Sequence, residues 1–264
     1  AGYYGWRLGT LTQLKFPDGA STRLSPHLNA GSIALQRLFA LFYRQASWLN
    51  ALYGPQSFIS LHQWMFGDPW ARAATVEPLF TPDIVQPALE LPFLPGQRWS
   101  LTSGPHASWA TGSPRGALDF APVTGEPACA VSRIWATASA PGLVVRSAHG
   151  VLSLDLDGDG FEQTGWVLIY LHLAEQDRLP VGAWVNTDDP VGHPSCEGGA
   201  ATGTHVHLAR KYNGEWIPAD GPFPFILSGW IAQKGERSFD GFLVKGDQVV
   251  TARPDGSHGS SIFR

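Results

Sequence analysis

Two histidines two residues apart, His205 and His207, lie in Thr202-Gly203-Thr204-His205-Val206-His207-Leu208. Alternation with Val206 and Leu208 predicts a β-strand, on which residues i and i+2 point to the same face. Both imidazoles then project together, where one can bind a metal and the other stand beside it. Such a pair alone is a weak signal, because surface and core histidines are common. Partners exist upstream, in Gly104-Pro105-His106 and, after a loop rich in Ser, Gly and Pro, in Ala117-Leu118-Asp119-Phe120. His106 offers a nitrogen donor and Asp119 a hard oxygen donor. With one histidine of the later pair they form a His-Asp-His set. Three protein ligands leave one tetrahedral position for water, which suits a catalytic zinc better than a structural one. His172 closes the β-prone run Trp166-Val167-Leu168-Ile169-Tyr170-Leu171-His172, where an imidazole reaches a cleft or stays hydrogen-bonded in a core.

The other histidines are poorer candidates. His149 and His193 fall on turns, and His27 and His258 fall in irregular ends. His62 sits on a helical stripe and reads as structural. Asp155-Leu156-Asp157-Gly158-Asp159-Gly160 invites calcium, since oxygen-rich loops suit hard cations. Asp155, Asp157 and Asp159 match the first half of an EF-hand loop, but position 12 is Trp166 rather than Glu. The alternative is a solvated hairpin turn. Cys129 and Cys196 are the only cysteines, either two free thiols or one disulfide. A disulfide would close a loop of about 67 residues and contribute roughly 4 kcal/mol in the chain-entropy model.

The elements that position these residues follow from composition and periodicity. The chain has 264 residues, room for one large domain or a domain with an appendage. Being 44% hydrophobic and 15% charged, with 11 Trp, it is a packed globular chain. Its 30 Gly and 21 Pro signal many turns and much β-structure. Net charge is −4 and pI about 6.1, with no dominant basic patch, which argues against a nucleic-acid partner. No run of 18 apolar residues is present, so no membrane span is expected. The start at Ala1 lacks a charged n-region and apolar h-region, so a processed or trimmed form is expected.

Leu35, Leu38, Phe39, Phe42, Ala46, Leu49 and Leu52 recur at helical spacing. This predicts one helix, with Ser32 as N-cap and Gly54-Pro55 as stop. Ser57 caps a second helix through Ile59, Leu61, Trp64 and Met65, ended by Gly67-Asp68-Pro69. Pro78, Pro82, Pro87, Pro92 and Pro95 then predict an extended connection. The expected organisation is a helical and extended appendage over 1–95 and a β-rich domain carrying the candidate zinc ligands over 96–264. Candidate strands are 130–138, 141–148, 150–156, 165–172, 203–210, 215–217, 241–245 and 247–253, in hairpin succession. They predict a mostly β fold, an antiparallel sheet or sandwich. Phe223, Phe225 and Trp230 are expected to form a short helical or looped wall.

The ordered set His106, Asp119, His172 in Tyr-Leu-His-Leu, and Gly203-Thr204-His205-Val206-His207 resembles the lysostaphin-type zinc metallopeptidases. The nearest likeness is to the beta-lytic endopeptidase and staphylolysin branch, whose members are secreted and lyse bacterial cell walls. It covers about residues 100–220. The resemblance implies one zinc held by His106, Asp119 and His207. It implies that His172 and His205 flank the metal-bound water, with His205 as general base and His172 toward the tetrahedral intermediate or leaving amine, roles that could be exchanged. All five positions are filled, unlike in degenerate, non-catalytic members. The implied function is a secreted zinc metalloendopeptidase cutting peptides in peptidoglycan cross-links, with glycine-containing bonds as candidate targets; a monomer is expected. Alternatives are a cell-wall-binding or regulatory module blocked by the N-terminal segment, and a general extracellular peptidase acting on Gly-rich proteins. The secreted character of the branch favours the Cys129–Cys196 disulfide. Close relatives carry more cysteines, so that pairing is not transferred directly. The extra stretch before His106 is a docked appendage, a prosegment remnant or a groove wall.

Overall fold

In a computed structural model, residues 2–7, 11–25, 28–73, 83–110 and 112–264 are described. His27, Pro78 and Pro82 lie outside them. The chain divides into two compact units, Ala1–Thr81 and Pro82–Arg264. No described helix is long and apolar enough to cross a membrane.

The first unit contains helices α1 (Gly2–Arg7), α2 (Ala30–Phe42), α3 (Gln45–Tyr53), α4 (Phe58–Phe66) and α5 (Pro69–Ala73). Strands β1 (Gln13–Lys15) and β2 (Ser21–Arg23) pair antiparallel. Leu14, Phe16, Leu24, Ile33, Ala40, Trp48 and Leu52 form its core. The single helix expected from Ser32 to Leu52 is broken, because Tyr43 and Arg44 are extended and end α2 before α3 begins. The N-cap is Asn29, whose side chain accepts from the Ser32 amide at 2.8 Å. Ser57 does cap α4, in a reciprocal box with Ser60. Gly67, at φ 82°, ends that helix. His62 packs between the rings of Phe58 and Phe66, as a structural histidine would.

The second unit is mostly antiparallel β. Its strands are β3 (Arg98–Ala107), β4 (Arg115–Pro122), β5 (Ala136–Thr137), β6 (Gly142–Ala148), β7 (Val151–Asp155), β8 (Trp166–Leu171), β9 (Trp184–Val185), β10 (Pro190–Gly192), β11 (Val206–Tyr212) and β12 (Glu215–Trp216). After them come β13 (Ile226–Leu227), β14 (Trp230–Lys234), β15 (Gly241–Lys245), β16 (Gln248–Thr251) and β17 (Ser261–Phe263). The main sheet runs β17-β3-β4-β11-β8-β7-β6-β9, with β12 on β11. A four-stranded meander, β13 to β16, forms a second sheet, and β5 pairs with β10.

One face of the main sheet is the core. Leu101, Leu118, Phe120, Leu152, Leu154, Tyr170, Val206 and Leu208 pack there with Phe225, Leu227 and Leu243 of the meander. Each such fully buried large apolar side chain contributes about 1.5–3 kcal/mol. Leu89, Leu91 and Phe93 join this core, so residues 82–95 lie with the β unit and the compact unit starts ahead of the 95/96 boundary. Phe225 and Trp230 belong to the core as well, as part of the β13–β14 region rather than a separate wall. The strand expected over 130–138 shrinks to Ala136–Thr137. Cys129, exposed and at φ 63°, is instead bridged to Cys196 with Cα atoms 5.1 Å apart.

On the opposite face, Val151, Val167, Ile169 and Leu171 form a smaller cluster against Trp216. The alternation of β11 puts Val206 and Leu208 in the main core and His207 on this other face.

Candidate metal centre

Strand pairing assembles the cluster. His207 on β11 lies directly opposite Asp119 on the neighbouring β4. His106 comes from β3 on the far side of β4, where the register shifts between Ser103 and His106. A bulge of this kind re-aims a side chain. Gly104 sits within it, and a Cβ there would lie 2.7 Å from the Asp240 backbone, so the approach of the two chains needs glycine.

The three side chains converge. His106 Nε2 is 3.0 Å from His207 Nδ1. Asp119 Oδ1 lies 3.3 Å from each of those nitrogens. All three residues are buried. Backbone carbonyls fix the tautomers, because a carbonyl oxygen only accepts. His106 Nδ1–H donates to the Gly104 carbonyl at 2.9 Å. His207 Nε2–H donates to the Ser108 carbonyl at 3.0 Å. Each neutral imidazole therefore presents a lone pair to the other and to Asp119 Oδ1, a buried oxygen with no hydrogen-bond partner. Three acceptors facing one another across about 3 Å repel unless a cation lies between them. Ligand atoms about 2.0–2.2 Å from a tetrahedral zinc sit about 3.3–3.6 Å apart, close to the observed spacings. The donor set of two nitrogens and one carboxylate oxygen fits zinc.

The charge preferences agree. Burial pushes the Asp119 carboxyl up, but the nearness of the His106 and His207 rings outweighs it and holds it well below the usual carboxylate range. Burial likewise disfavours charge on His106, while Asp119 more than offsets this and raises its pKa. Positive charge is welcome at this point of the fold.

His205 and His172 stand beside the cluster, their rings 4.5 Å apart. His205 Nδ1–H donates to the Gly203 carbonyl at 2.7 Å, leaving Nε2 as an acceptor 3.7 Å from Asp119 Oδ2. His172 Nδ1–H donates to the Glu197 carbonyl at 2.8 Å, which leaves its Nε2 an acceptor too. Burial, and then His205, pushes the His172 pKa down to about 4, so the ring is neutral near pH 7. His172 also has φ 68°, a left-handed conformation seldom taken by a non-glycine residue. A cleft of about 310 Å³ opens against Asp119 and His205, walled by small polar residues including Thr102, Ser103, Thr124 and Thr204.

Other sequence candidates lie elsewhere. His149 is exposed in the β6–β7 turn. His193 is buried against Trp135, ring centroids 3.9 Å apart. His258 begins a short 3₁₀ turn. The carboxylates of Asp155, Asp157 and Asp159 are bunched, with Asp155 buried and the other two exposed. Their oxygens accept amides of their own loop: Asp155 from Asp157 and Gly160, Asp157 from Asp159, and Asp159 from Phe161.

Sequence reading passed over the carbonyls of Gly104, Ser108, Gly203 and Glu197, which set all four tautomers. Backbone acceptors leave no residue-type signal. It also passed over Phe239, whose ring stacks on His106 at 4.7 Å. Phe239 is at φ 75°, and its carbonyl accepts from the Gly104 amide at 2.7 Å.

No family model matches the chain. Over 215 residues it is 26% identical to "Protease LasA" of Pseudomonas aeruginosa (strain UCBPP-PA14), covering 74% of this chain and 47% of that protein. Over 160 residues it is 28% identical to "Beta-lytic metalloendopeptidase" of Achromobacter lyticus, covering 58% of this chain and 40% of that one. The chain thus spans less than half the length of these curated relatives. Among solved structures, the M23 metalloprotease pseudoalterin "from Deep-sea" shares the fold. The TM-score is 0.55 at 19% identity, over 68% of this chain and all of that one.

Proposed function

Because the chain belongs to the lysostaphin-type metallopeptidase family, we propose that it is a zinc endopeptidase acting on the peptide cross-links of bacterial peptidoglycan. The observation that carries this reading is the convergence of three unprotonated donor atoms, from His106, Asp119 and His207, beside two further imidazoles. The second compact unit carries the activity in this reading, which is that of a secreted enzyme holding one zinc.

His106, Asp119 and His207 would hold the zinc, which would supply a Lewis acid and lower the pKa of a bound water from about 15.7 towards about 7. Asp119 Oδ1 faces the two ligand imidazoles and would take the metal, while Oδ2 lies near His205. We assign His205 as the general base, since that carboxylate oxygen at 3.7 Å stabilises the imidazolium formed when Nε2 takes a proton. Asp119 favours charge on His172 too, but burial and then His205 outweigh it, so His172 is the poorer base. Its bare Nε2 is suited to accept from a water or amide N–H, and so to orient the nucleophile or the leaving nitrogen rather than an oxyanion.

Glycine-containing bonds suit the surroundings. A Cβ at Gly199 would lie 3.4 Å from His172 Cε1, so a small residue stands against that imidazole. The Asp155–Asp157–Asp159 loop is assigned as a self-bonded hairpin turn rather than a calcium site. Its carboxylates are engaged by local amides, and Trp166 begins β8 where an EF-hand has Glu.

The test compares purified peptidoglycan with a Gly-rich protein substrate, with and without chelator. Chelator-sensitive release of cross-link peptides supports the reading. Cleavage of the protein alone would make the chain a general peptidase.

A further inference from the structure

The two imidazoles beside the metal cluster are held differently from the metal-binding ones. The ring hydrogen bonds of His106 and His207 end on Gly104 and Ser108, in β3 and just after it. Those of His172 and His205 end on Glu197 and Gly203, both in the loop 193–205 that joins β10 to β11. The same loop grips the backbone of both residues. The Ser195 amide and hydroxyl donate to the His172 carbonyl at 2.7 and 3.0 Å. Ser195 also bridges to His205, whose amide donates to the Ser195 carbonyl at 3.4 Å. His172, at φ 68°, needs such restraint, because a left-handed non-glycine residue relaxes when its surroundings loosen.

A short strap, residues 129–132, holds this loop at both ends. Cys129 is bonded to Cys196, next to Glu197. The Ser132 amide donates to the Pro194 carbonyl at 2.9 Å. The Thr204 hydroxyl donates to the Ala130 carbonyl at 2.7 Å, beside both Gly203 and His205. The strap is irregular and Cys129 is exposed, and the disulfide is the one covalent tie between strap and loop.

We propose that the Cys129–Cys196 disulfide is a positioning device for His172 and His205, so that opening it stops turnover while leaving the zinc in place. The inference rests on the peptidase reading. It extends that reading to a division of labour: the β3–β4–β11 ladder builds the metal site, and the strapped loop aims the proton-handling imidazoles. A cell-wall hydrolase built this way is competent in an oxidising compartment and slack where thiols are kept reduced.

The test is the double variant Cys129→Ser, Cys196→Ser, assayed on a soluble glycine-containing cross-link peptide alongside zinc content. The proposal expects zinc near that of the parent, KM little changed and kcat lower by about 10²-fold, the scale of a 1 Å misplacement. In ¹H–¹⁵N imidazole spectra the His172 and His205 signals should shift or broaden, while those of His106 and His207 stay. A second variant, Thr204→Val, keeps the disulfide and removes one strap contact. It should also lower kcat with zinc unchanged, and it decides the matter if the double variant does not fold. Parental kcat in either folded variant, or loss of zinc together with turnover, overturns the proposal. A parent chain with zinc but no peptidase activity would defeat the functional reading instead, and the imidazole spectra would still test the strap.

Discussion

His207 Nδ1 and Asp119 Oδ1 face each other at 3.3 Å from directly opposed positions on adjacent strands, and the neutral His207 tautomer that donates to the Ser108 carbonyl leaves no proton between them. The Ser108 carbonyl takes the only imidazole proton of neutral His207, and Asp119 Oδ1 has no hydrogen-bond donor. Two acceptors held this way by a rigid ladder are a coordination edge rather than a hydrogen bond. His106 supplies the third corner.

The first prediction concerns that triangle. His106→Ala and Asp119→Ala should each lose zinc and activity together, since two remaining ligands do not make a stable tetrahedral site. Chelation of the parent should lower its melting temperature, because a metal bound only by the folded state stabilises it by mass action. Elemental analysis and thermal melts check both. Retained zinc in Asp119→Ala would remove Asp119 from the ligand set.

His205→Ala should behave differently. It should keep most of the zinc and lose turnover by about 10²–10⁴-fold, the usual contribution of a positioned general base. Zinc content and kcat on the same preparation check this. Loss of metal on replacing His205 would mean that the assignment within the His205–His207 pair is reversed.

Glu162 gives a pH prediction. It pairs with Arg146 at 2.6 Å and Lys211 at 3.1 Å on the face of the sheet that carries His207. Burial raises its pKa, but Lys211 and then Arg146 outweigh burial, and the folded value lies below 4.5. A depressed carboxylate stabilises the fold above its unfolded pKa, and that contribution fades as the pH falls through the folded value. Denaturant titrations should therefore show Glu162→Gln less stable than the parent at pH 7, with the gap closing below about pH 4.5. A constant gap from pH 7 to pH 3 would contradict the pairing.

Arg210 offers a stability test away from the site. It is fully buried on the core side of β11, and its guanidinium donates to the Pro218, Phe223 and Pro224 carbonyls and to Gln86. Arg210→Ala removes a donor from those carbonyls and opens a cavity, and should cost about 3–5 kcal/mol. Equilibrium unfolding measures it, and a loss below about 1 kcal/mol would contradict the clasp.

The parts of the molecule that were legible in the sequence are those where side-chain identity carries the signal. The alternation Val206-His207-Leu208 reports a strand with one buried face, and the structure places His207 on the face it implies. The hairpin pattern from Pro141 to His172 likewise matches β6, β7 and β8. What stayed hidden depends on the backbone. The break between α2 and α3 falls at Tyr43 and Arg44, neither of which is a helix breaker by type. The stretch 82–95 reads as a linker by its prolines, yet Leu89, Leu91 and Phe93 anchor it in the β core. The bulge at Gly104 and the carbonyls that fix four imidazole tautomers have no side-chain signature.

The most direct measurement is metal content by elemental analysis on the same purified sample used for a peptidoglycan-lysis assay. The account predicts about one zinc per chain, with lysis abolished by chelation and restored on adding zinc. No zinc, even after reloading, would contradict it and leave a β-rich unit with three mutually repelling buried acceptors to explain.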